Sequence, residues 1–382
     1  MISKKKALIY GIILVMITAL VTSTFQLSVG NKVIVSKSNY EEYKNYSKLL
    51  GLKEMIEESY YKKPKEDELL TGSIRGMFEG LNDPYSRYYT EEEFKELMDQ
   101  TAGVFSGVGI VIGAGEDNLI TVVSPIEGSP AAKSGIKPGD KIIKVDGKNV
   151  TAKELDKATH MIKGKPGTDV TLTIKRENKD FDVTIKREEI KLQTVKSEVL
   201  EDSIGYIKIT SFDETTDKDF EENINKLKEQ NIKGLVLDLR GNPGGLLDVC
   251  HKIGDMLVGK GTIVYTKDNK GNTEYLKSDE ESIGLPIAVL INGGSASASE
   301  ILTGAIVDNK VGVAVGTTSF GKGLVQTVRE LKDGTGYKLT IAQYFTPSGS
   351  YIHGKGIKPN IEVEDEAKQL DSAVDWIKEK IK

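Results

Sequence analysis

The spacing of apolar and polar positions changes several times along the chain. Behind Lys4, Lys5 and Lys6 comes a nearly unbroken apolar run from Ala7 to Val21, continued more weakly from Phe25 to Val29. A basic flank before such a run is the pattern of an export signal or a signal anchor. No small-x-small cleavage site and no lipid-accepting cysteine follow, so residues 1–30 are expected to stay as one transmembrane helix. The lysines would remain cytoplasmic and the rest of the chain would face outside, at the cell membrane, or be secreted if the segment is cleaved.

Helical spacing takes over from 31 to 102. Leu49, Leu50, Leu52, Met55 and Ile56 fall on it, a second helix is predicted from Glu66 to Leu81, and Asn82-Asp83-Pro84 ends that helix. Thr90 is placed to cap a third, with Glu91, Glu92 and Glu93 in its first turn, where the helix dipole favours negative charge. This region reads as a helical spacer and offers a face for a homodimer or higher oligomer.

Short strands and glycine turns follow over 103–188. Val104 to Ile112 reads as a strand interrupted at Gly107 and Gly109, Asn118 to Val123 as another, and Lys141 to Val145 as a third closed by the hairpin signal Asp146-Gly147. Thr151 to Lys163 is predicted helical with Thr151 as its cap. Three stretches resemble a PDZ domain: Ser106-Gly107-Val108-Gly109-Ile110, Ser124-Pro125-Ile126-Glu127-Gly128-Ser129-Pro130-Ala131 and Gly135-Ile136-Lys137-Pro138-Gly139-Asp140-Lys141-Ile142. The resemblance implies strand addition of an extended C-terminus. Gly107, Val108, Gly109 and Ile110 would form the carboxylate-binding loop, since glycine leaves backbone N–H groups open to approach.

From 189 to 365 the pattern is strand, loop, helix. Ile204–Ile209, Gly234–Leu239, Ile287–Ile291 and Val311–Gly316 are strands, the middle two apolar enough to be buried on both faces. Helices are predicted at Thr216–Gln230, Leu246–Val258 and Ser299–Asp308, and 366–382 forms a last one. Repeated units of this kind imply parallel pairing with right-handed crossovers.

Composition narrows the chemistry. The net charge is −5 over 382 residues, which gives no field to recruit nucleic acid. One cysteine, Cys250, excludes an internal disulfide and a cysteine-based zinc site, and in its apolar helix it reads as packing. Three histidines without an HExxH arrangement disfavour a metal hydrolase, so neither metal nor cofactor is expected.

Functional groups in parallel sheets gather where strands end and helices begin. Three segments meet that description: Leu239 to Gly245, Asn292 to Glu300 and Thr318 to Gln326. Ser295, Ser297 and Ser299 are each ordinary helix-capping residues. Lys322, between two glycines after a buried strand, changes their weight. A lysine pressed into a cleft loses charge and becomes a competent base for a hydroxyl. Gln326, four residues on, stays on the same side along a strand or one helical turn and could orient the amine.

These blocks resemble the carboxyl-terminal processing (tail-specific) proteases of serine peptidase family S41. Asp83-Pro84-Tyr85-Ser86-Arg87-Tyr88, the PDZ stretches, Asp238-Leu239-Arg240-Gly241-Asn242-Pro243-Gly244-Gly245, the serine block, Gly321-Lys322-Gly323-Leu324-Val325-Gln326 and Phe345-Thr346-Pro347-Ser348-Gly349 stand in the family's order. The resemblance implies an α/β multidomain fold: a crotonase-like S41 core, an inserted β-rich PDZ domain, an N-terminal helical segment and one transmembrane helix. It implies Ser297 as nucleophile, Lys322 as general base and Gln326 as partner. Ser297 lies 25 residues before Lys322, the family's spacing, which selects it over its neighbours. The Ala298 amide would supply one oxyanion donor and Gly244 or Gly245 the other, with Gly244 preferred. The implied activity is endoproteolysis of extracytoplasmic proteins near unstructured C-termini. Ser350 and Lys163 stand where many members carry arginine.

Two alternatives remain from the residues alone. One is a Ser-His-Asp triad using His353 or His251. The other is a membrane-anchored PDZ scaffold or chaperone without catalysis.

Overall fold

Gly234–Asp238 and Ile287–Ile291 are buried at every position and form the centre of the larger part of the chain. Around them, in the α/β core, run six strands: β1 Val195–Leu200, β2 Ile204–Ile209, β3 Gly234–Asp238, β4 Ile287–Ile291, β5 Gly312–Gly316 and β6 Ile361–Glu362. They lie side by side in that order. β1 is antiparallel to β2 and every later pair is parallel. The expected parallel pairing is present.

Three helices cover one face: α1 Thr216–Glu229, α2 Leu247–Leu257 and α3 Ala298–Asp308. Phe220, Ile224, Leu227, Ile253 and Leu302 pack there against Ile207, Leu237 and Val289. The opposite face, with Val236, Leu290 and Val315, is closed by Ala373 and Ile377 of α4, Glu366–Ile381. α3 is buried from Ala298 to Ile306, so its first turn is a fixed point rather than a surface feature.

A second sheet was not foreseen. Thr273–Ser278, Gly261–Asp268, Gly336–Phe345 and Leu324–Glu330 pair in that order, and Arg87–Tyr89 adds to Gly336–Phe345. Its strands are only half-buried and mix lysine, threonine and glutamate with apolar residues, so they lack a clean period-two signal.

The structure, a computed structural model, describes residues 3–24, 27–29, 32–34, 36–115, 117–177 and 179–382, with side chains of residues 20–35 outside that description. The chain forms two compact units, Met1–Leu81 and Asn82–Lys382. The first holds helices Lys4–Thr24, Lys37–Ser59 and Glu66–Glu79, and Ser36 caps the second. The transmembrane helix expected over 1–30 is not supported: among the described residues no helix is long and apolar enough to cross a membrane. The apolar stretch with described side chains, Ala7 to Ala19, would reach only about 20 Å of the ~30 Å hydrocarbon layer; the rest of the expected span lies outside the described side chains.

The second unit begins at the predicted break, where Asn82 has φ 52°. Thr90 caps helix Glu91–Thr101 in a reciprocal box with Glu93. The β-rich module follows, with a sheet ordered Lys179–Lys186, Asp169–Arg176, Lys141–Val145, Ile120–Pro125, Ile110–Ala114. Asp146 and Gly147 both have positive φ, as the hairpin signal requires. Thr151 makes no side-chain cap; a 3₁₀ turn at Ala152–Glu154 leads instead into helix Leu155–Ile162. Asp140 is 1% exposed. Burial alone would lift its pKa, but hydrogen bonds from Arg176 and the Lys137 amide outweigh that and hold the carboxyl low.

Candidate active site

The loops after β3, β4 and β5 converge at the C-terminal ends of these parallel strands. The first carries Asn242, which is fully buried. Its side chain donates to Ile209 O at 2.9 Å and accepts from the Gly244 amide at 2.8 Å. Behind it, Asp238 receives Arg240 Nε and Nη2 at 2.9 and 2.7 Å and Tyr206 OH at 2.7 Å. Burial pushes the Asp238 pKa up, yet Arg240 and Tyr206 more than compensate and hold it low; burial and Asp238 together push the Tyr206 hydroxyl up.

The serine turn after β4 separates three chemically similar residues. Ser295 Oγ donates to Leu239 O at 2.8 Å and Ser299 Oγ to Asn242 O at 3.0 Å, so both fasten the turn to the glycine loop. Ser297 makes no side-chain cap bond and is only half-buried. Its backbone sits at φ 56°, ψ −114°. A non-glycine residue there costs about 1–3 kcal/mol, and such strain collects at functional sites and at sharp strand-to-helix nucleophile turns.

Gly244 and Gly245 do different things. A Cβ on Gly244 would lie 2.7 Å from Ala296 O and 2.9 Å from both Ala298 N and Ser297 Cβ. A Cβ on Gly245 would lie 2.1 Å from Phe212 O. Gly245 bridges Phe212 in parallel fashion through Gly244 O and Leu246 N, which turns its own N–H away from Phe212. Gly244→Ala should therefore cut activity at least about tenfold by displacing the serine turn. Gly245→Ala should lower stability by about 2 kcal/mol or more through backbone overlap. Rates on an unstructured substrate and denaturant midpoints for the two variants check this, and equal stability losses would contradict it.

Glu300, fully buried on the first turn of α3, is the residue that sequence reasoning missed. Its Oε2 accepts the Ser297 and Lys322 amides, each at 2.8 Å. Its Oε1 accepts the Gly321 amide at 2.7 Å and Ser319 Oγ at 2.6 Å. Two 2.8 Å bonds to one oxygen limit the Ser297 and Lys322 nitrogens to 5.6 Å apart. The spacing Ser297-x-x-Glu300 is a capping-box signature and could have flagged it. Tyr344, also missed, places its hydroxyl against the Ser297 and Lys322 carbonyls, either of which can take its single proton; burial and Glu300 push that hydroxyl's pKa up. Nothing in the local sequence marks Tyr344.

Lys322 is half-buried in the loop before strand Leu324–Glu330. Burial, then Lys338, lowers its pKa, against the opposing pull of Asp83 and Glu300. Its Nζ lies over the Tyr85 ring, 4.7 Å from the centroid. Among the described residues no hydrogen bond joins Nζ to Ser297 Oγ. Gln326 is turned elsewhere, donating to Leu324 O at 3.2 Å and Thr340 Oγ1 at 3.4 Å. A bulge between Val325 and Gln326 breaks the side-chain alternation, which removes the even-offset argument for Lys322 and Gln326 sharing a side.

His251 Nε2 pairs with Lys277 O at 2.8 Å. His353 Nδ1 is buried without a partner, and neither histidine is hydrogen-bonded to Ser297. Cys250 is buried behind the serine turn, its Sγ 3.2 Å from Ala298 O, and burial pushes its thiol pKa up, which keeps it inert. In the β-rich module, Gly107, Val108, Gly109 and Ile110 line a cavity of about 60 Å³ together with Ile162 and Lys163. Gly109, at φ 77°, could not carry a Cβ without meeting Ser129 Cβ at 2.3 Å. Among the described residues no cluster of potential metal ligands occurs.

A strained serine at a helix start, on a parallel-sheet core that follows a β-rich module, is the arrangement of a serine-type hydrolase. Residues 203–363 match Peptidase family S41, 107–186 a PDZ domain, and 8–93 the Activating protease CtpB N-terminal domain. The chain is 41% identical over 356 residues to the carboxy-terminal processing protease CtpA of Bacillus subtilis (strain 168), covering 92% of this chain and 76% of that one. It is 38% identical over 354 residues to the "Probable CtpA-like serine protease" of Staphylococcus aureus (strain COL), covering 92% and 71%. The solved photosystem II D1 C-terminal processing protease superposes with a TM-score of 0.53 at 27% identity, covering 90% of this chain and 98% of that one. The chain belongs to peptidase family S41 and is a serine-type endopeptidase.

Proposed function

We propose that the chain cleaves extracytoplasmic proteins near C-termini engaged by its PDZ domain, with Ser297 as nucleophile, Lys322 as general base and Gln326 as the partner of that base. The observation that carries this reading is the shared Glu300 oxygen, which keeps the Ser297 and Lys322 backbones within a lysine side chain's reach. The neutral amine takes the Ser297 proton as Oγ attacks the scissile carbonyl, and the resulting ammonium returns a proton to the leaving amine. Water activated by Lys322 then hydrolyses the acyl-enzyme. The Ala298 amide faces the oxyanion from the helix start. Of the two glycines, Gly245 is the better second donor, because the Gly244 amide is already held by Asn242. Productive geometry requires Lys322 to leave the Tyr85 ring for Ser297 and Gln326 to leave Thr340. The layered arrangement of β2 to β5 is compatible with a crotonase-like core.

A substrate series tests recognition. One unstructured protein is offered with a free C-terminal carboxylate and with an amidated one, and products are read by mass spectrometry. Amidation should slow cleavage about tenfold, since it removes the charged group the Gly107–Ile110 loop would hold. Equal rates would reject PDZ recognition of C-termini.

The reading also sets the pH dependence. Burial disfavours the charged lysine, so its pKa lies below the ordinary value. The active form is neutral, so kcat/KM should fall about tenfold per pH unit below that pKa and level off above it. The limb should lie below the ~10.4 of a free lysine. A rate that stays flat on the acid side would remove Lys322 as base.

Residues 1–30 would direct the catalytic part outside the cytoplasm and hold it at the membrane unless cleaved. Lys4 to Lys6 and the exposed Leu8, Leu14 and Val15, each about two-thirds exposed or more (67%, 66% and 68%), support this. A reporter that matures only outside the cytoplasm, fused after residue 30, should be active; silence would refute export.

A further inference from the structure

The Asp83–Tyr88 stretch is unused by the mechanism above, yet it lies against the base. We infer that Tyr85 is a positioning residue for Lys322: its ring face holds the ammonium away from Ser297 and sets the pH at which the amine becomes free to act. The inference rests on Lys322 being the base.

Lys322 Nζ is 4.7 Å from the ring centroid, within the range where the negative face of an aromatic ring attracts a cation. The ring itself is fixed. His353 stands edge-on to it with centroids 6.5 Å apart, and Tyr351 follows at 6.1 Å from His353. The backbone on either side is tied down as well. The Tyr85 amide donates to Asp83 Oδ1 at 3.0 Å, and Ser86 Oγ donates to Asp83 Oδ2 at 2.5 Å. Ser86 Oγ accepts the Thr340 amide at 3.0 Å, and Arg87–Tyr89 pairs with the strand bearing Lys338 and Thr340. Thr340 Oγ1 in turn accepts from Gln326. One anchored segment thus reaches both members of the proposed Lys322–Gln326 pair.

The charged groups acting on Lys322 come from three different segments. Lys338 disfavours its charge, while Asp83 and Glu300 favour it. His353 stands edge-on to the Tyr85 ring. Tyr85 has two opposed effects. As an apolar wall it helps to dehydrate the amine and lowers its pKa; as a π face it stabilises the ammonium and raises it. Leucine keeps the wall and removes the face, so Tyr85→Leu should lower the pKa. Phenylalanine keeps both.

The test titrates Lys322 directly. In the full chain carrying Ser297→Ala, trace acetylation is followed across pH and the Lys322 peptide is quantified by mass spectrometry. Tyr85→Leu should shift the labelling midpoint down by about half to one pH unit, with Tyr85→Phe unchanged. In the Ser297-intact forms the acid limb of kcat/KM should move equally, while the plateau, reached with the neutral amine off the ring, should stay within about twofold of the parent. If Tyr85→Leu does not fold, pentafluorophenylalanine at 85 preserves the ring but reverses its face and should lower the midpoint in the same way. A midpoint that coincides with the parent in the leucine or fluorinated form overturns the inference. A midpoint that moves while the activity limb does not overturns Lys322 as base, and with it the positioning role of Tyr85.

Discussion

Ser297→Ala is expected to reduce peptide-bond cleavage by about ten-thousand-fold or more, with the fold unchanged. On the proposed mechanism the hydroxyl is the atom that bonds to the substrate, and nothing nearby can replace it. Ser295 and Ser299 are fastened to Leu239 O and Asn242 O, and Cys250 is sealed in the core. Ser295→Ala and Ser299→Ala should instead cost about 1 kcal/mol of stability each, from a lost buried hydrogen bond. The Ser297→Ala, Lys322→Ala double variant should be no slower than either single one, because the two groups act as a unit. Ser297→Gly should be equally inactive yet about 1 kcal/mol more stable than the parent, since glycine accepts φ 56° without strain. Mass spectrometry of products from an unstructured substrate and denaturant midpoints provide the readouts. Unchanged cleavage by Ser297→Ala would reject the assignment, and an inactive parent would favour the scaffold alternative.

Glu300→Gln carries the second large effect, on stability and activity together. The carboxylate accepts three backbone amides and a hydroxyl in a fully buried site. An amide side chain can present only one oxygen, so its NH₂ group is placed best at the Oε1 position, where Ser319 Oγ can turn to accept it but the Gly321 amide is confronted by another donor. Leaving a buried donor unmatched costs about 1–3 kcal/mol, which is the expected loss. The Gly321 amide next to Lys322 would be pushed off and the Lys322 loop displaced relative to Ser297, so kcat should fall about a hundredfold, given the cost of even an ångström of misplacement. Thermal or denaturant unfolding and single-turnover rates check both parts. A variant with parental stability and rate would show that the turns are held by other contacts.

Much of the fold was legible because burial on both faces leaves an unmistakable trace. Gly234–Asp238 and Ile287–Ile291 are apolar almost throughout, and each strand runs into a glycine- or serine-rich turn. The Asp146-Gly147 hairpin was legible for a different reason, since few other pairs accept two positive φ values. The second sheet was not, because Leu324–Glu330 keeps three exposed positions and its pairing partner is set by tertiary contacts. At the site, local patterns alone left Ser295, Ser297 and Ser299 equivalent; only the resemblance chose among them, and the structure adds that two of the three are bonded to carbonyls. The Gln326 geometry could not be read, because a bulge is a property of two strands and only one was in view. Glu300 was readable as a helix cap, but the reach of its second oxygen to residues some twenty positions later was not.

Hanging the two loops from a single carboxylate oxygen has a kinetic consequence. The main chain around the reaction centre is already assembled, so little of it needs to travel before bond breaking. What remains is torsion about the long, flexible chains of residues 322 and 326. Half-exposed side chains hop between wells in picoseconds to nanoseconds. An enzyme built this way would spend no measurable time arming itself, so its pace would be governed by bond breaking and by passage of the substrate tail and fragments rather than by main-chain rearrangement.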